Sequence, residues 1–399
     1  MIRYIPVELH CHTLHSDGDF TPAALMEAAR DFGCGAIALT DHNTASGMQE
    51  ITPKLQARLL PVVPGIEWTT FYGHMLVLGA RRYVDWRFAR PETIDRFTAQ
   101  INEADGVVGI AHPFSMGGVL YTGGFWEFQV RDWSKISYIE VWHVGENDER
   151  LENARALAWW KSLLNEGHRL AAVSGRDWHR PDAAPRLCAV TYVGIETGED
   201  APAAVPNEIT SPVAAPAGGT DSHAAVPARG IDSPAAVPAG KTAASPTITP
   251  EQIKAALRAG RTFITFGPTI RLEVRPLSGQ NAPAAHGLCP AASSSPTGSD
   301  SVFSIGDTVP AGSVQITVYV DENARRSHWA AYALQIRAVR LVTGKGTLAE
   351  LPYTPDAPVC WQGTLSDGWL CAELRGSHRG AAGDDTLLGM TSAIYVRGE

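Results

Sequence analysis

The 399 residues allow two domains, or one large domain with an appendage, and the 44% apolar fraction suffices for a sizeable core. A formal net charge of -9 argues against the basic face that general nucleic-acid or anionic-membrane binding needs, although bound cations could reverse the field inside a site. No apolar run reaches membrane-span length and no basic-then-apolar leader opens the chain; the six cysteines, without a C-x-x-C pair, read as free thiols in a reducing cytoplasm.

The first 195 residues alternate strand-like and helix-like segments. A strand at 7–10 leads into a helix at 21–32, where Thr21 can cap, Pro22 suits the first turn and Gly33 follows the end. Short buried-strand patterns follow at 36–40 and 59–63, the latter stopping before Pro64-Gly65. Further strands are predicted at 75–78, 107–111, 136–142 and 170–173, with helices at 91–104 and 151–166 between the later ones. Repeated β-α units imply a mainly parallel sheet, either open or closed into a barrel, with its chemistry at the carboxyl ends of the strands.

At 197–246 the composition shifts to Ala, Pro, Gly and Ser, and TDSHAAVPARG (220–230) is followed by its near-copy IDSPAAVPAGK (231–241). Such a stretch buries too little apolar surface to offset its ordering entropy, so a flexible insertion is expected. A second low-complexity patch spans 277–300. Between them a helix at 249–260, capped by Thr249, runs into a strand at 262–266. Beyond Pro268 the pattern is all β, with strands at 270–274, 314–320, 334–342, 369–374 and 393–396, and predicts a small sandwich.

The chemistry-bearing residues gather at the predicted strand ends. His10-x-His12 places two imidazoles on one face of an extended segment, and Asp177-x-His179 repeats that geometry. Asp17 lies in the loop after the first strand, His42 follows the second, and Glu67 follows the third. His74 precedes the fourth and His112 ends the fifth. A lone histidine in such a protein is ordinarily a packed or surface residue, but this pattern over separate strands is hard to obtain by chance. These nine side chains exceed what one ion needs and suit two or three divalent cations. The imidazole-rich mixture favours zinc, manganese or iron over calcium. Closely spaced ions can share a hydroxide nucleophile and clamp the oxygens it attacks.

HCHTLHSDG, ALTDHN, GIE, GHMLVLG, IAHPF and GRDWH, in that order, resemble the PHP (polymerase and histidinol phosphatase) superfamily. The later IEVWH, ITPEQIKAALRAGRTFITFGP and β-rich tail resemble its CehA/McbA-like branch. The resemblance covers residues 5–195 and 247–275, and the tail loosely. It implies an α/β fold with a distorted, TIM-like β/α barrel, a trinuclear metal centre and phosphoester hydrolysis. Carried over by motif, His10, His12, Glu67 and Asp177 would hold one ion, and Glu67 would bridge to a second completed by His74 and His112. Asp17, His42 and His179 would hold a third. The chain departs from the pattern at Gly175-Arg176-Asp177, where the family commonly has Gly-Ser-Asp, and at His143, where the branch often has Asn.

His143 is therefore either a substrate contact and proton donor to the leaving oxygen, or a packed strand-end residue. Arg180 either pairs with a substrate phosphate or forms a surface salt bridge. His15 is expected at the rim, and Asp41 as an acceptor orienting His42. Gly117-Gly118 and Gly123-Gly124 around Tyr121 suggest a flap over the metals. The expected organisation is a metallohydrolase barrel at 1–196, an insertion at 197–246, the end of the barrel at 247–268 and a C-terminal β domain at 269–399. The expected partner is a small phosphoester, with neither a nucleic-acid polymer nor a membrane. The alternatives are a carboxyl or carbamate ester hydrolase with the same metal centre, or a degenerate PHP binding module.

Overall fold

The computed structural model describes residues 2–116, 123–144, 150–182, 187–197, 248–277, 301–381 and 383–398, and the backbone of 285–288. The expected insertion apart from Thr197, nearly all of the 277–300 patch and the segment around Tyr121 lie outside the described residues. The N-terminal part contains β1 (Ile2–Glu8), α1 (Pro22–Asp31), β2 (Ala36–Leu39), α2 (Pro53–Arg58), β3 (Val62–Thr70) and β4 (Gly73–Leu78). It continues with α3 (Ile94–Glu103), β5 (Val107–Ala111), β6 (Tyr138–His143), α4 (Leu151–Asn165), β7 (Ala171–Gly175) and β8 (Val190–Glu196). After the insertion come α5 (Pro250–Arg258) and β9 (Thr262–Thr265).

Local chemistry sets the helix ends. Thr21 caps α1 by accepting the Ala24 N–H, Pro22 occupies the first turn, and Gly33 leaves the helix at φ +88°. Thr249 and Gln252 form a reciprocal capping box on α5. The helix expected at 91–104 is a short 3-10 turn followed by α3.

The strands pair in the order β9-β8-β1-β2-β3-β4-β5-β6-β7. Ladders β1–β2, β2–β3, β5–β6 and β6–β7 are parallel, whereas β3–β4, β4–β5, β1–β8 and β8–β9 are antiparallel. The sheet is thus mixed, not mainly parallel. For β3 and β4 the reason is local: no helix separates them, and two strands joined by a tight turn must run antiparallel. The strand expected to stop at residue 63 continues through Pro64-Gly65 to Thr70, so Glu67 lies within a strand, not after one.

At one end the strand series comes back on itself. An isolated parallel bridge joins Cys11, beyond β1, to Trp178, beyond β7, with His12 N–H donating to Trp178 O and Trp178 N–H to His10 O. Elsewhere the hydroxyl of Thr191 on β8 donates to Ser174 O and accepts the Ser174 N–H, so side-chain bonds span the gap between β7 and β8. The described strands form no continuous closed ladder. Val7, Ala38, Val63, Leu76, Val107 and Val173, from six of these strands, share one buried cluster that α5 covers with Ile253 and Leu257.

The C-terminal part adds β10 (Thr269–Pro276), β11 (Ala285–Leu288), β12 (Phe303–Ser304), β13 (Thr308–Pro310), β14 (Gly312–Asp321) and α6 (Arg326–Trp329). It ends with β15 (Gln335–Thr343), β16 (Gly346–Pro352), β17 (Val359–Leu365), β18 (Gly368–Ser377), β19 (Thr386–Thr391) and β20 (Ile394–Arg397). A five-stranded sheet, β11-β17-β14-β10-β12, packs Leu272, Val274 and Ile316 into one core with Leu341, Leu374 and Met390 of the larger sheet. This two-layered β arrangement is not detached from the rest. β19 pairs with β9, so one sheet runs through both parts, and the described residues fall into one unit. Lys161 of α4 adds a 2.7 Å ion pair to the buried Glu373.

No helix among the described residues is long and apolar enough to cross a membrane. Cys11, Cys34 and Cys371 keep buried free thiols. The free-thiol expectation fails at Cys360, which is disulfide-bonded.

Candidate metal centre

The end of the sheet where β1 and β7 are bridged gathers nine side chains. His10 and His12 lie just beyond β1, His42 beyond β2 and His112 beyond β5, while Asp177 and His179 follow β7. Glu67 projects from within β3. His74 comes from the start of β4, and the antiparallel direction of that strand is what puts its beginning at this end, paired with Ala111 beside His112. A parallel bridge between His42 and Glu67 extends the β2–β3 pairing to the site. His112 and Asp177 adopt left-handed backbone conformations, φ +25° and +49°. Such conformations in non-glycine residues persist only where the surroundings hold them.

Glu67 is the hub and is fully buried. Its Oε2 lies 3.2 Å from His10 Nε2, 3.4 Å from His12 Nε2 and 2.9 Å from His42 Nδ1. Its Oε1 lies 2.8 Å from His74 Nδ1 and 3.0 Å from His112 Nε2. Asp177 Oδ1 lies 3.2 Å from His10 Nε2 and 3.0 Å from His12 Nε2. On the outer side, Asp17 Oδ1 stands 3.1 Å from His179 Nε2, and its Oδ2 3.5 Å from His42 Nε2.

Three groups of potential donor atoms result: His10, His12, Glu67 and Asp177; Glu67, His74 and His112; and His12, Asp17, His42 and His179. Within each, the atoms lie within 4.8 Å of one another. That spacing suits donors standing about 2 Å from a common ion. His10 Nε2, His12 Nε2, Glu67 Oε2 and Asp177 Oδ1 are buried and make no hydrogen bond, despite separations of 3.0–3.4 Å. His74 Nε2 and His112 Nδ1 are likewise buried without one. Buried polar atoms without partners are costly. His10 Nε2, His12 Nε2, Glu67 Oε2 and Asp177 Oδ1 converge on one space and have the chemistry of a divalent-cation site of mixed imidazole and carboxylate donors, whereas His74 and His112 face Glu67 Oε1 through their other ring nitrogens, at hydrogen-bond distance.

The electrostatics keep the carboxylates anionic. Burial opposes ionisation of Glu67, but His10 and His74 outweigh it and hold its carboxyl well below the usual range. Asp177 is also depressed, with His10 again overcoming burial. Burial pushes the imidazoles of His12 and His74 down, favouring the neutral form that can donate to a cation. His42 goes the other way, to about 10, because Asp17 and Glu67 outweigh its burial.

His143 ends β6 with its ring centroid 4.7 Å from that of His112 and its Nε2 3.8 Å from Asp177 Oδ2. Arg180 lies outside the cluster: its side chain is 74% exposed, with Nε 3.3 Å from Asp19. Arg176 turns away into packing, stacked 3.6 Å over Trp178 and paired at 2.6 Å with Asp182. His15 binds Ser46 and Glu50 at the rim. Asp41 does not orient His42. Instead it accepts the Thr13 N–H and hydroxyl and the Ser16 hydroxyl, and so holds the loop that carries Asp17. His42 Nδ1 faces the Thr69 hydroxyl at 2.6 Å. Thr69 and Glu140, which contacts His10 Nδ1 at 3.1 Å, were not singled out from the sequence. The period-two register from Glu67 pointed to Thr69, and the IEVWH motif contains Glu140.

Residues 8–112 match the PHP domain family. This segment contains seven of the nine side chains; Asp177 and His179 lie beyond it. The chain is 34% identical over 67 residues to the 5'-3' exoribonuclease Rnm of Escherichia coli K12, covering 16% of this chain and 23% of that protein. It is 31% identical over 77 residues to a 3',5'-nucleoside bisphosphate phosphatase of Chromobacterium violaceum, covering 18% and 27%. The chain thus spans about a quarter of the length of these curated relatives. A crystallised two-domain protein from Bacteroides vulgatus, described as containing a predicted PHP-like metal-dependent phosphoesterase, overlaps 98% of this chain and 96% of its own. That likeness is weak, at 12% identity and a TM-score of 0.44.

Proposed function

We propose that the protein is a metal-dependent phosphoesterase that holds two or three divalent cations (zinc, manganese or iron) and hydrolyses a small phosphate mono- or diester. The observation that carries this reading is the set of buried, unbonded donor atoms converging around Glu67. The PHP domain match supports it, as do two relatives named for phosphoester cleavage. His10, His12, Glu67 and Asp177 would hold one ion, Glu67, His74 and His112 a second, and Asp17, His42 and His179 a third. Bound there, the ions would lower the pKa of a coordinated water to make it a nucleophile and offset charge on the phosphoryl oxygens.

The chain's own contribution is placement. Glu67 and Asp177 bring anionic charge into a buried space, where it acts at low effective dielectric. Asp41 fixes the loop bearing Asp17, and Thr69 fixes the His42 ring. His143, close to Asp177 and His112, is placed to give a proton to the leaving oxygen. Arg180 could meet a substrate phosphate only after leaving Asp19.

The test is metal analysis of the purified protein, followed by a screen of nucleotides, sugar phosphates, aryl phosphates and aryl carboxyl and carbamate esters. Phosphate release dependent on added cation is the expected result. Cleavage of carboxyl or carbamate esters alone would move the reaction to carbon, and a metal-free inert protein would make the fold a binding module. A cytoplasmic location belongs to the same proposal. The disulfide at Cys360 counts against it, since such bonds persist mainly in oxidising compartments, so subcellular fractionation decides it.

A further inference from the structure

We infer that Glu140 is a positioning residue that fixes two members of the cluster at once, His10 through its ring and His112 through its backbone. The inference rests on the metal-site reading above and concerns a carboxylate outside the donor groups.

Glu140 lies in β6 and is almost fully buried, at 1% exposure. A buried carboxylate needs hydrogen-bond donors, and those within reach belong to the metal site. Its Oε2 is 3.1 Å from His10 Nδ1 and accepts the His112 backbone N–H at 3.1 Å. With the proton on Nδ1 facing Glu140, the Nε2 lone pair of His10 is left for the space between Glu67 and Asp177, 3.2 Å from each. A carboxylate behind a ligating imidazole fixes its tautomer and orientation in this way and raises its basicity.

The second bond has a different purpose. His112 sits at φ +25°, a conformation an L-residue holds only under constraint. The bond from its N–H to Glu140 supplies such a constraint where the ring must turn toward Glu67 Oε1. The fold also makes room for the carboxylate. A Cβ on Gly175 would stand 1.7 Å from Glu140 Oε1 and 3.0 Å from the His10 Cβ, so that position in β7 admits only glycine while Glu140 keeps its place. One carboxylate thereby couples the two donor groups that share Glu67.

The experiment compares wild type with Glu140→Gln, which keeps the shape and removes the charge. Zn2+ affinity is measured by competition with a chelating dye, and bound metal by elemental analysis. Glu140→Gln should weaken Zn2+ binding about 10- to 100-fold, the scale for losing such an outer carboxylate. The metal lost should come from the positions served by His10 and His112, while the Asp17, His42 and His179 group keeps its ion. Combined with His10→Ala, Glu140→Gln should weaken binding by less than the sum of the two single losses, because the part of its action that runs through the His10 ring is already gone while the part through His112 remains. A purely structural role would give additive losses. Unchanged affinity in folded Glu140→Gln, or full additivity with His10→Ala, overturns the inference while leaving the metal site standing. A wild type that binds no Zn2+ overturns both. Should Glu140→Gln fail to fold, Glu140→Asp keeps the charge but withdraws it by a methylene, and the same affinities decide.

Discussion

His12 Nε2 and Asp177 Oδ1 stand 3.0 Å apart, both buried, and no hydrogen bond joins them. One residue follows β1 and the other follows β7, brought together by the Cys11–Trp178 bridge. A pair held this close without bonding should gain from a cation that both can face. Chelation should therefore lower the melting temperature, and divalent metal should restore it. At a hundredfold excess over Kd the gain is about 2.7 kcal/mol for a saturated site. Scanning calorimetry with and without chelator, then with graded Mn2+ or Zn2+, measures it. A melting temperature indifferent to both would remove the cation from the centre of the site.

Glu67 is the side chain whose loss should cost most, because its two oxygens face five imidazoles. Glu67→Gln keeps the size but removes the charge that would offset two cations. Metal should be lost at two positions together, and hydrolysis should fall at least ~100-fold, the scale of losing a major electrostatic stabiliser. His112→Ala should empty mainly one position. Metal counts and single-turnover rates on the same preparations make the comparison. Full metal content and near-normal activity in Glu67→Gln would end the bridging assignment.

Much of this site was legible in the sequence because its donors occur as short-range patterns tied to strand ends. H-x-H, T-D-H and D-x-H each fix two or three side chains through local geometry alone. The residues that align them lie within short patterns too, but which donor each one meets is set by non-local contacts that the sequence does not show. Glu140 meets His10 across 130 positions, and Thr69 meets His42 across 27. The direction of the strands is hidden for a related reason. Buried strands read alike in parallel and antiparallel ladders; the helix-free connection marks β3–β4 as antiparallel, but nothing local marks β1–β8 or β8–β9. The VTYVGIE run of β8 is β-branched and apolar, but it borders the composition shift at 197, which obscures its strand pattern. The join between β9 and β19 lay beyond any local pattern.

His143 separates two mechanisms for the leaving group. If it donates the proton, its removal should matter in proportion to how poor the leaving group is. For an alkyl phosphate ester, His143→Gln should lower kcat about 100-fold, the lower end for general acid catalysis. For p-nitrophenyl phosphate, whose leaving group needs little protonation, the loss should stay below about tenfold. Steady-state kinetics on both substrates at matched metal saturation give the ratio. Equal losses on the two would return His143 to a packing role.

Glu8 offers a test of stability independent of turnover. It is buried beneath the site, and its Oε1 accepts the backbone N–H groups of His10 and Arg176. Burial raises its pKa from 4.5 to about 7, with Arg176 pulling only partly the other way. A carboxyl whose folded pKa lies above its unfolded value binds its proton more tightly in the fold. Its contribution is therefore fully present below the unfolded pKa of 4.5 and is lost as pH rises to about 7. The loss at pH 8 amounts to about 3 kcal/mol. Glu8→Gln mimics the protonated form and can still accept both N–H bonds. In metal-stripped protein it should be more stable than wild type by about that amount at pH 8, with the gap closing toward pH 4.5. Urea unfolding of the two proteins across that range isolates the effect, because other titrations cancel in the difference. A gap constant with pH would mean that Arg176 and the backbone bonds match the effect of burial on Glu8, and one that widens toward acid that they outweigh it.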